Sequence, residues 1–173
     1  GATLTTVTFT ADNQALTFGG TSTVSGGTNF AGFAGKVTVD SASGDNTFTC
    51  SLTSSANTTA GTLAVTGGVN NVTIASKIGT SATQRLSALT VSSGSNATFS
   101  SAVYVKNATL TGSATFNSTL DTTGGTVAIA GTGAATLTQS TTATVNFTGD
   151  GSLTMSDGKT FTGAINNTSG NAA

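Results

Sequence analysis

Any chemistry on this chain falls to six aspartates, four lysines, Arg85, Tyr104 and Cys50, because histidine and glutamate are absent. Without histidine no Ser-His-Asp triad can assemble, and the usual zinc and haem ligands are missing. Gly131-Thr132-Gly133 has no Lys-Ser/Thr behind it, so it is not a phosphate-cradling loop. A glycosidase needs two acids converging on one bond, whereas Asp12, Asp40, Asp45, Asp121, Asp150 and Asp157 lie mostly beside Ser, Asn or Gly. In such contexts an Asp side chain hydrogen-bonds its own backbone and shapes a turn. Asp150 and Asp157 are near enough in sequence to share a calcium ion, but a hard cation wants several converging oxygens. A Lys-Asn crosslink would need Lys36, Lys77, Lys106 or Lys159 buried beside a buried acid. The chain is therefore expected not to be an enzyme, with no catalytic, cofactor-binding or metal-binding residue and no cofactor.

Cys50 stands alone in Thr49-Cys50-Ser51-Leu52, so no disulfide forms within the chain. Its alternating context predicts a small buried hydrophobe, and an intersubunit disulfide is the sharper alternative. Eight Asn-x-Ser/Thr sequons, at Asn57, Asn71, Asn96, Asn107, Asn117, Asn146, Asn166 and Asn167, are glycan acceptors if the source glycosylates. Chance supplies several of them in a chain with 40 threonines.

Only 6% of residues are charged, against about 25% in ordinary domains. Mean hydropathy is nevertheless just +0.15. Thr, Ser, Asn and Gly must make the polar surface, and β-branched Thr suits a pleated, half-buried sheet better than a helix. The net charge of −1 is scattered along the chain, which predicts no nucleic-acid partner and no polybasic membrane patch. No apolar run approaches the roughly 18 residues of a membrane span. Low charge on a Thr/Asn/Gly surface is typical of secreted and cell-surface β-proteins, so a secreted, extracellular location is expected.

The elements that must carry these residues announce themselves by repetition. Two apolar residues with one between them recur as Leu89/Val91, Ala108/Leu110, Val127/Ile129 and Val145/Phe147, at spacings of 19, 19 and 18. Nearly the same interval counted backward reaches Val72/Ile74, and counted forward from Phe147 it reaches Ile165. A fixed period with alternation inside it predicts one strand per repeat stacked on its neighbours. A second line runs through Phe99, Phe116, Leu137 and Met155, and Val103/Val105 with Leu120 points to a third face. The predicted fold is all-β, a parallel β-helix (β-solenoid) with about 18 residues per coil. The rival is an antiparallel β-sandwich or jelly roll. Gly124-Gly125, Gly131-Thr132-Gly133 and Gly149-Asp150-Gly151 are expected to supply positive φ at corners. The absence of proline fits interior coils in which every backbone N–H has a partner.

Residues 1–173 read as a single β domain, with 1–52 an irregular, Phe-rich end or cap and 53–173 the regular stacked repeats. Five of nine phenylalanines fall in the first fifty residues. Ala11-Asp12-Asn13-Gln14 fits a hairpin or a tight corner, and Thr80 to Leu89 reads as a loop leading into a strand.

Segments such as Gly131-Thr132-Gly133-Ala134-Ala135-Thr136-Leu137 and Gly163-Ala164-Ile165-Asn166-Asn167-Thr168-Ser169-Gly170 resemble the passenger regions of bacterial autotransporter and rickettsial-type surface proteins. The resemblance covers residues 60 to 170 by composition and cadence. It implies a β-helical stalk displayed outside the cell with adhesive roles, and because it contains no catalytic motif it implies no site residue.

The function expected from these features is a secreted, non-enzymatic structural protein that associates with itself into an extracellular filament or surface layer. A low-charge β-stack has edges that invite another copy. The proposed joint is the N-terminal segment with Leu4, Val7 and Phe9, lent as a terminal strand to the next copy. The first alternative is a stalk or passenger fragment of a cell-surface adhesin, whose partner is a host or neighbouring-cell surface. The second, a carbohydrate-binding or carbohydrate-acting β-helix, is disfavoured by the lack of Trp and the single Tyr104.

Overall fold

The computed structural model describes residues 3–4, 6–20, 23–24, 26–55 and 59–168. Every ladder between its strands is parallel. The chain is an all-β solenoid of about seven turns with a mean step of about 21 residues. Parallel pairing excludes the antiparallel sandwich or jelly roll, which would join successive strands by hairpins. Among the described residues no helix is long and apolar enough to cross a membrane.

Each full turn visits three faces. The first face runs from Ala15–Gly19 through Leu86–Val91 to Ile165–Asn167, and the second from Asn46–Phe48 through Asn96–Phe99 to Ser152–Met155. The third begins at Val7–Thr8, continues through bridges at Ile78 into the start of Val103–Leu110, and ends at Phe161–Thr162. Val103–Leu110 itself turns from the third face onto the first, pairing Leu120–Asp121 with its beginning and Val127–Ile129 with its end. Thr3–Leu4 and Thr23–Val24 pair with each other as a separate two-stranded sheet, and Thr23–Val24 borders Asn46–Phe48. The turn at Ala11-Asp12-Asn13-Gln14 is a corner, since Val7–Thr8 and Ala15–Gly19 belong to different faces.

Alternation places the apolar rows inside. Leu89, Ala108, Val127 and Val145 stand in register, as do Val91, Leu110, Ile129 and Phe147. All of these are buried except half-buried Phe147, which packs against the core. The second row, Phe99, Phe116, Leu137 and Met155, is likewise in register, with the first two rings stacked at 4.8 Å. Phe9 stacks on Phe30 at 4.8 Å, and Phe18 meets Phe48 at 5.1 Å, so these rings fill the first coils from within.

Four expectations change. Successive core positions on the first face are Leu16, Val37, Leu63 and Leu89, then Ala108, Val127, Val145 and Ile165. The coils before Leu89 are longer than those after it, so the expected period describes only the short coils and falls below the mean. Val72/Ile74 lies on the second face, opposite Ala97/Phe99, and the true predecessor of Leu89/Val91 is Leu63/Val65. Ile165 aligns with Val145, not with Phe147. Glycine serves the corners in two ways: Gly124 has φ of 69°, but at Gly125 a Cβ would run into the Lys106 carbonyl of the coil before. Close approach of stacked backbones, and not positive φ, is what excludes a side chain at the second position.

Candidate interaction surfaces

The reactive side chains are spread over corners. Lys36, Lys77, Lys106 and Lys159 are all exposed, which removes the buried lysine a Lys-Asn crosslink needs. The aspartates hold turns: Asp12 accepts from the Ala34 N–H at 2.7 Å, Asp45 from Asn71 at 2.8 Å and Asp121 from Thr123 at 2.9 Å. Among the described residues no three acidic, His or Cys side chains come together as a metal site. Cys50 is buried, with its Sγ 3.3 Å from Thr28 Oγ1. Burial pushes its thiol pKa up, and the Thr28 hydrogen bonds oppose this only partly. A thiol so enclosed packs as a small hydrophobe and is not presented to a second chain.

The predicted joint residues sit at the N-terminal end. Leu4 lies in the strand Thr3–Leu4, and its side chain falls outside the described residues. Val7 is half-buried in Val7–Thr8, which pairs with Thr28–Asn29. Phe9 is buried: its ring stacks on Phe30 and fits because Gly35 has no side chain, since a Cβ there would overlap the ring. The ring is therefore committed to the chain's own second coil.

The opposite end is less covered. Ile165 continues the core row of Val127 and Val145 yet is 56% exposed. Leu153, Met155 and Phe161 are only half-buried, although their counterparts one coil earlier, Ala135, Leu137 and Thr141, are buried. Ser152 and Ser156 donate their N–H groups to Gly133 and Leu137 in the preceding coil. By the alternation of a parallel ladder, the main-chain groups of Leu153 and Met155 face the other way, where no further strand is described. Sequence reasoning missed this edge, because alternation along a strand does not state what lies on the next coil.

A third surface gathers cations. Lys77 Nζ lies 5.0 Å from the centre of the Tyr104 ring, and Arg85 Nη1 donates to the Thr123 carbonyl. Arg85 Nε and Thr122 Oγ1 are buried in this corner without a hydrogen-bond partner. Elsewhere the tight corner at Thr111-Gly112 is recessed beside Ser95 and Thr132, leaving a notch of about 290 Å³ with no charged lining.

No family model, curated protein or solved structure matches this chain.

Proposed function

We propose that this is an extracellular, non-enzymatic structural protein whose copies stack end to end into a filament or surface layer. The observation that carries this reading is the last described coil, where Ile165 occupies a core row but is exposed among the described residues. Strands stand at both ends of the stack: Thr3–Leu4, Val7–Thr8 and Ala15–Gly19 at one, Ser152–Met155, Phe161–Thr162 and Ile165–Asn167 at the other. The N-terminal coil of one copy can therefore continue the parallel ladders of the next. Such a contact is head-to-tail and does not close on itself, so it propagates. Covering the exposed half of Ile165 is worth about 1–1.5 kcal/mol, and the continued ladders supply direction and register. Phe9 stays in its own coil, so Leu4 and Val7 take part as members of a stacking end and not as a released strand.

The test is sedimentation and electron microscopy of the intact chain beside Ile165→Lys and a deletion of residues 1 to 10. Concentration-dependent filaments that either change suppresses are expected. A chain that stays monomeric at high concentration contradicts the joint. It would advance the second reading, a stalk segment of a cell-surface adhesin, which the short, evenly repeated coils after Leu89 favour.

A further inference from the structure

Ladder register sets Lys36, Lys77, Arg85 and Lys106, four of the five cations and far apart in sequence, along one side of the solenoid. Lys36 heads a column that passes through Thr62 and Ala88 to Asn107, the residue after Lys106. Tyr104 is two residues before Lys106, under Lys77 Nζ. Arg85 closes the excursion 79–85, which leaves the coil path through a small antiparallel bridge between Ser81 and Gln84. Insertions of this kind on one side of a solenoid are common binding places. The strip runs from the second coil to the fifth, three strand spacings or about 14 Å. Asp12 lies at its upper end, bonded to Ala34 just before Lys36, and Asp121 at its lower end, paired in register with Tyr104. The fifth cation, Lys159, reaches Gln139 near the far end of the molecule.

We infer that this corner binds a short anionic saccharide. Carboxylate or sulfate groups would meet Lys36, Lys77, Lys106 and the outer edge of the Arg85 guanidinium, whose Nη1 donates to Thr123 and whose Nε is buried. Saccharide hydroxyls need acceptors as well as donors. Asp121 has one oxygen engaged with Thr123 and one further oxygen to accept, while Asn107 uses its Oδ1 on Thr126 and keeps its amide as a donor. A nucleic acid fits less well. Carboxylates at both ends repel a phosphate chain that runs on, and the Tyr104 face under Lys77 is occupied and offers no platform for a base.

The intact protein is titrated at low salt with tetragalacturonate, a heparin tetrasaccharide, maltotetraose and an oligothymidylate of equal charge, and binding is followed by NMR shifts. One or both anionic saccharides should bind at this corner, and which of them binds distinguishes a carboxylate from a sulfate ligand. Lys77→Gln combined with Lys106→Gln should weaken binding about tenfold or more, while Lys159→Gln leaves it unchanged. All three residues are exposed, so equal melting of the variants is the control for folding. The inference is overturned if neither anionic saccharide binds, if maltotetraose binds equally, if Lys159→Gln weakens binding as much, or if the oligothymidylate binds more tightly.

Discussion

Leu16, Val37, Leu63 and Leu89 succeed one another on the first face at long intervals, whereas Ala108, Val127, Val145 and Ile165 follow at short ones. The inward rows are alike in both halves, so the extra residues go into corners. In the long coils those corners are tied by side chains: Asn70 Nδ2 donates to the Ser41 carbonyl at 2.7 Å, and Asn46 Nδ2 to Phe18 and Asp40 carbonyls at 3.2 and 3.1 Å. In the short coils some such ties persist, as from the Thr126 N–H to Asn107 Oδ1, and glycines add a closer approach of the backbones. A Cβ at Gly125, Gly133 or Gly151 would strike a carbonyl of the coil before. A short turn can thus be made by bringing backbones together, and a longer one needs polar side chains to satisfy the backbone it exposes.

That contrast can be broken at its strongest point. Val127→Asp puts an unpaired charge into a row shared by Ala108 and Val145, at a cost on the order of 4 kcal/mol. Circular dichroism should show loss of the folded state, and near-normal melting would mean that Val127 does not face the core. The next largest effect separates two neighbouring glycines. Gly125→Ala should destabilise by about 1–3 kcal/mol through backbone collision, and Gly124→Ala, with open space around it, by about 1 kcal/mol from its positive φ. Equal melting temperatures for the two would remove the close-approach explanation.

In the long coils the corresponding change is Asn70→Ala, which leaves the Ser41 carbonyl with the Gly44 N–H alone and should cost about 1 kcal/mol in urea unfolding. No measurable loss would show that the long corners are not held by such bonds. The smallest effect is confined to alkaline pH. Burial raises the Cys50 pKa in the folded chain, so its contribution is complete below the unfolded thiol's pKa and is lost as pH rises through the folded one. Stability of the native chain should therefore fall faster above the ordinary thiol range than that of Cys50→Ala; parallel curves would contradict this.

The same contrast decides what could be read from the sequence. Leu89/Val91 and its successors gave strand, face and register correctly, because the coils between them are nearly equal in length. The count failed at Val72/Ile74, where the coil lengthens and an interval carried back from the later coils lands on the wrong face. The cationic corner was illegible for the same reason. Lys36, Arg85 and Lys106 fall on one side only once the lengths of the three coils between Lys36 and Asn107 are known, and nothing local in the sequence states those lengths. The exposed edge at Leu153, Met155 and Ile165 depends on what stacks next, which alternation along a strand does not encode.

The end-to-end joint is tested most directly by hydrogen exchange of single amides over a range of protein concentrations. The Leu153 and Met155 amides, which face the side where no further strand is described, should gain protection as concentration rises. The amides of Leu86–Val91, paired on both sides, should stay protected throughout. Exchange at Leu153 and Met155 that is independent of concentration would contradict stacking at this end.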